Sequence, residues 1–145
     1  MPRRTLLLAL FLVAAAPALA EDFVPCDDLH VGLTNVAAPV ADNAVTVYDG
    51  LVTLYNIDML EPACCSAGIA IVLPDPDDPL GGAQCRAIVG FTTVDVAAAR
   101  RDYDPARGLR LDVPVRLMDE EGNMEPEEML PVRIDLQAHT VTLEE

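Results

Sequence analysis

The chain has 145 residues, with 24 acids against nine arginines, no lysine, no tryptophan and a net charge of −15. Such a surface repels polyanions, which excludes nucleic-acid binding and adhesion to anionic lipid, and it favours cationic partners or divalent metals. Twelve prolines and eight glycines interrupt the chain every few residues, which excludes long helices.

Residues 1–20 are expected to form a cleavable signal peptide. Arg3 and Arg4 precede an apolar run over residues 6–16, and Ala18-Leu19-Ala20 supplies a small-x-small cleavage pattern. The run is shorter than the about 20 residues of a membrane-spanning helix. Cys26 follows Asp-Phe-Val-Pro, not a lipobox, so a lipoprotein is not expected. Cleavage removes two arginines and no acid, taking the net charge to −17. Residues 21–145 then read as one β-rich domain, exported to the periplasm or beyond. No integral membrane segment is expected in it, because no second apolar stretch reaches spanning length.

Leu29, Val31 and Leu33 suggest a first strand. Residues 45–48 and 51–57 flank Asp49-Gly50, a strong hairpin signal because glycine tolerates positive φ. Residues 69–73 and 86–94 flank the loop PDPDDPLGG, a second hairpin. Residues 96–102 read as one short helix capped by Asp95, and residues 103–108 as a turn. Leu109 to Leu117 and Leu130 to Leu136 alternate apolar with polar, as do Val141 and Leu143, giving three half-buried strands. The loop DEEGNMEPEE, residues 119–128, joins the first two. Opposite charges favour Arg110 facing Asp135 and Asp112 facing Arg133, which also puts Pro114 opposite Pro131. About eight short strands with regular turns predict an all-β fold. An immunoglobulin-like sandwich comes first and a small open barrel second.

Cys26, Cys64, Cys65 and Cys85 make an even count in an exported chain, which points to disulfides. Adjacent cysteines on extended chain face opposite ways, so the simplest pairing sends one of Cys64 and Cys65 to Cys26 and the other to Cys85. A vicinal Cys64–Cys65 bond is the less favoured alternative. Against the simplest pairing, a regular hairpin sets Cys85 near Ile71 and away from Cys65.

No constellation of catalytic residues stands out. Ser66 is the only serine and lacks a nucleophile elbow. Gly81-Gly82 lacks the P-loop lysine. Asp75, Asp77 and Asp78 crowd one loop and could ligate calcium, although the EF-hand spacing is missing. His30, the cysteine pair, and Met118, Met124 and Met129 offer ligands for zinc or copper. No cofactor is required by any of these patterns, and a divalent metal is the one they admit. Asp119, Glu120, Glu121, Glu125, Glu127 and Glu128 form a second acidic loop suited to a cationic protein surface. The leading expectation is therefore a non-enzymatic binding or interaction module that uses its loops. A metal-handling protein is the alternative, and a small carboxylate-dependent hydrolase the second alternative.

Overall fold

Apolar side chains recur at every second position along residues 109–117, 130–136 and 141–143, and each of these runs lies in a strand or ends just past one. The structure is a computed structural model describing residues 22–61 and 64–144. The expected signal peptide lies outside the described residues. The strands are β1 (Val24–Pro25), β2 (Ala44–Val47), β3 (Val52–Asp58), β4 (Ala67–Pro74), β5 (Ala83–Phe91), β6 (Thr93–Val94), β7 (Arg100–Asp104), β8 (Gly108–Arg116), β9 (Glu128–Asp135) and β10 (Thr140–Leu143). Eight of these have four residues or more.

The strands form two antiparallel sheets, ordered β1-β5-β4-β3-β2 and β10-β9-β8-β6, with β7 also paired to β8. The expected small sandwich or open barrel is thus the fold. Strands β2 to β5 run as one meander and β7 to β10 as another, while β1 lies at the far edge of the first sheet beside β5. One core lies between the sheets. Val52, Leu54, Ile69, Ile71 and Leu73 come from one side, and Leu111, Val113, Val132 and Ile134 from the other. Burying each such side chain is worth about 1.5–3 kcal/mol, so alternation decides which face of a strand turns inward.

Both predicted hairpins form. Val47 pairs with Val52 around Asp49-Gly50, with Asp49 at φ 54° and Gly50 at φ 91°. Pro74 pairs with Ala83 around the proline-rich loop. The chain then leaves the first sheet for the second at Thr92. Gly90 makes this possible with φ 112°, a conformation that side chains resist, at the bulge where Val89 faces Gly68 and Phe91 faces Ala67.

Three expectations are corrected. Residues 96–102 are not a helix. Asp95 does accept a bond from Ala98 N at 3.0 Å, but only one turn follows, and β7 begins at Arg100. Val96 is buried, and its N–H donates to Asn56 Oδ1 at 3.1 Å, which ties the segment to the first sheet. Pairing along β8 then outweighs a helix too short to repay its nucleation. Leu29, Val31 and Leu33 do not form a strand either. The chain makes 3₁₀ turns at Cys26–Leu29 and Leu33–Asn35, with His30 left-handed at φ 55°. Leu29 and Val31 instead pack over Ile57, Ala70 and Ala87 on the outer face of the first sheet.

The β8–β9 register is the third. Arg110 faces Arg133, Leu111 faces Val132, and Asp112 faces Pro131, two residues from the expected pairing, with Pro114 opposite Met129. A third strand explains how like charges can face each other. Glu144, just past β10, accepts from Arg133 Nε and Nη2 at 2.8 Å each and from Arg110 Nη1 at 3.4 Å. Arg110 Nε also donates to Asp112 Oδ1 at 2.9 Å. The bonds from Arg133, and then the charges of Arg133, Arg107 and Arg110, hold the Glu144 carboxyl below its usual range.

Candidate ligand groove

The register of β8 and β9 sends residues 117–127 to one end of the sandwich, where β5 also ends. There Thr92 N donates to Arg116 O at 2.8 Å, and Glu125 N donates to Leu117 O at 2.9 Å. The loop folds back on itself through a bridge between Met118 and Met124. Between this loop and the end of β5 lies a groove of about 790 Å³. Phe91, Val115, Leu117, Leu130 and Leu143 give it an apolar floor. Cys65 and Met118 stand on its wall, with Met129, itself 39% exposed, beside them.

The acids of this loop divide into two kinds. Asp119 holds the loop together: its Oδ1 accepts from Asn123 N at 2.7 Å and its Oδ2 from Asn123 Nδ2 at 3.1 Å. These bonds keep its carboxyl below the ordinary range. Glu127 lies 4.0 Å from Arg116 Nη2. By contrast, Glu120, Glu121, Glu125 and Glu128 line the groove, and none has an ion-pair partner among the described residues. Four carboxylates thus border an apolar cleft without a local counterion.

The first acidic loop is differently arranged. Asp75 Oδ1 accepts from Asp77 N at 2.9 Å, and Asp78 Oδ1 accepts from Leu80 N at 2.8 Å. These aspartates spend an oxygen each on their own turn. His30 is exposed beyond the Cys26–Leu29 turn, on the outer face of the first sheet. The structure does not bring Asp75, Asp77, Asp78 and His30 together: among the described residues, no group of three His, Cys, Asp or Glu side chains is placed to hold a metal ion. Ser66 hydrogen-bonds to Asp58, whose carboxyl is held low first by the Leu60 N–H and then by that hydroxyl. His139 stands in the turn at the far end of the sandwich.

The cysteines pair as Cys26–Cys85 and Cys64–Cys65. The first bond carries out the disulfide expectation. The second corrects the pairing that joined Cys64 and Cys65 to the other two. Geometry gives the reason. Cys85 faces Val72 in mid-sheet, and β1, on the other side of β5, sets Pro25 opposite Arg86. Cys26 thereby comes within 5.4 Å of Cys85, Cα to Cα, inside disulfide range. Cys64 and Cys65 lie beyond Phe91, at the other end of β5, and are left with each other.

Some of this was invisible in the sequence. The acidic loop is legible as a candidate contact surface, but its apolar floor is assembled from four strands far apart in the chain. No sequence pattern marks Asn56. It is 9% exposed, donates to Asn43 Oδ1 at 2.9 Å and accepts from Val96 N, so it joins the first sheet to the crossover. Among the described residues no helix is long and apolar enough to cross a membrane. No protein-family model, curated protein or solved structure matches this chain.

Proposed function

We propose that this protein is an exported, non-enzymatic binding module whose groove takes a cationic, amphipathic segment of a partner protein. The observation that carries this is the set of four uncommitted glutamates around an apolar floor. A peptide with alternating basic and apolar side chains meets both: its apolar groups fill the cleft, and its cations lie along the rim. Charge complementarity of this kind speeds encounter and rejects anionic competitors. The Cys26–Cys85 disulfide supports export, since such bonds persist in oxidising compartments.

The test uses a synthetic lysine–leucine amphipathic peptide and its glutamate-bearing counterpart, titrated calorimetrically into the protein. The basic peptide is expected to bind, more weakly as salt rises, and the acidic one not at all. Replacing Glu120, Glu121, Glu125 and Glu128 together by glutamine should abolish binding. Unchanged affinity in that variant would remove the groove as the site. Binding of neither peptide would remove the cationic-segment reading itself.

A further inference from the structure

The two disulfides differ in what they hold. Cys26–Cys85 spans 59 positions, and Cys26 is buried. Cys64–Cys65 encloses only its own peptide link, so it restricts almost nothing in the unfolded chain. It is also the accessible one: Cys64 is exposed, and Cys65 is half-buried on the groove wall. A covalent bond that does little for the fold and sits on a binding surface has another use.

We propose that Cys64–Cys65 is a reversible redox switch, reduced by a dithiol protein with a basic face, and that its state sets the shape of the groove. This deepens the binding-module reading and rests on it for the consequence, though not for the redox chemistry. A thiolate of the partner attacks Cys64 Sγ, the exposed sulfur. A mixed disulfide forms and Cys65 leaves as thiolate. The second thiolate of the partner then attacks its own sulfur in that bond, closing the partner's disulfide and releasing Cys64 as thiolate. Two electrons pass to this chain, and the two protons given up by the partner's thiols end on Cys64 and Cys65.

Two features suit the site to this step. The Thr92 hydroxyl lies 4.0 Å from Cys64 Sγ and 3.9 Å from Cys65 Sγ, so one donor serves whichever sulfur carries charge. Thr92 is itself fixed, because its N–H is bonded to β8. Thr92 is a positioning residue for the exchange. The second feature is the backbone. Cys65 has φ 77°, a left-handed conformation that side chains disfavour. Cleavage lets Cys65 leave that conformation and withdraw from the groove wall beside Met118 and Met129. The glutamate rim repels an acidic reductant, which is why the partner's face must be basic.

The experiment takes the exported protein, treats it with graded dithiothreitol in native buffer, alkylates with iodoacetamide and maps the labels by mass spectrometry. Cys64 and Cys65 should be labelled well before Cys26 and Cys85, with the circular dichroism unchanged. The methyl resonances of Met118 and Met129 should move on reduction, and the Cys64→Ser/Cys65→Ser variant should reproduce the reduced positions. Affinity for the lysine–leucine peptide should differ between the two forms by about fivefold or more, the low end of ordinary coupling between sites. Thr92→Val should slow the reduction of this bond and leave that of Cys26–Cys85 unchanged. Simultaneous labelling of all four cysteines would overturn the switch, and so would methionine signals that ignore the redox state. Selective reduction with shifted methionine signals but no peptide bound by either form would uphold the switch and overturn the groove's proposed ligand instead.

Discussion

The two ends of the sandwich are both rich in acids, yet one is closed and the other open. At the closed end, the Tyr48 hydroxyl donates to Ile134 O at 2.9 Å and accepts from Leu109 N at 2.8 Å, bridging the sheets. Tyr103 packs edge-on against it, with ring centroids 6.2 Å apart. Two of the acids there serve their own turns. Asp104 accepts from Ala106 N at 2.8 Å and Arg107 Nε at 3.0 Å, and Asp135 accepts from Gln137 N at 2.8 Å and Ala138 N at 3.1 Å. At the open end, Asp119 and Asp58, which accepts from Leu60 N at 2.8 Å, are used in this way, and the glutamates of the groove are not. The difference lies in side-chain length. An aspartate reaches the backbone two or three residues on and satisfies its own turn, whereas the longer glutamate gains no such local partner. Asp104, Asp119 and Asp135 build their own loops, whereas Glu120, Glu121, Glu125 and Glu128 have no such bond among the described residues.

Substitutions at each end test this contrast. The largest effect is expected at the cross-links. Cys26→Ala with Cys85→Ala should lower stability by about 4 kcal/mol in the chain-entropy view, measured by urea denaturation. Cys64→Ser with Cys65→Ser should stay within about 0.5 kcal/mol of the wild type. Equal losses from the two pairs would mean that the vicinal bond is structural after all.

Next comes the closed end. Tyr48→Phe keeps the ring and removes both hydrogen bonds, leaving Leu109 N–H and Ile134 C=O unpaired. The expected cost is about 1–3 kcal/mol. A neutral result would show that the bridge adds nothing to the packing of the two sheets. At the crossover towards the open end, Gly90→Ala has room for its Cβ but must adopt φ 112°. It should cost about 1–2 kcal/mol through backbone conformation alone.

A smaller effect depends on pH. Glu144 has its carboxyl pKa lowered in the folded state, chiefly by its bonds to Arg133. Its contribution is therefore complete above the ordinary glutamate range and is lost as pH falls through the depressed folded value. Glu144→Gln should be less stable than wild type at neutral pH, and the gap should close on acidification. A gap that persists unchanged into strong acid would assign the effect to packing. Least of all, neutralising Glu120, Glu121, Glu125 and Glu128 should leave stability within about 0.5 kcal/mol. A marked loss would show that these side chains serve the fold and would sharpen the contrast with Asp119 away.

Much of the architecture could be read along the chain. Period-two alternation marks β3, β8, β9 and β10 because a pleated strand presents alternate side chains to one core, and the loop PDPDDPLGG marks the hairpin of β4 and β5. Asp49-Gly50 marks its turn because the backbone needs positive φ there. These are local rules, set by a residue and its near neighbours. Where the structure departs from expectation, a distant residue intervened. Glu144 bonds both arginines and so makes their pairing tolerable in the observed β8–β9 register. Asn56, 40 residues from Val96, held the start of the supposed helix in another conformation.

The all-β class, the two hairpin turns and the buried faces of the C-terminal strands follow from steric limits and periodicity within short spans, so the chain shows them locally. Tertiary structure alone decided the cysteine pairing, the β8–β9 register and the groove. Each of these depends on which strands become neighbours, and that is settled by burial of apolar faces across the whole chain at once.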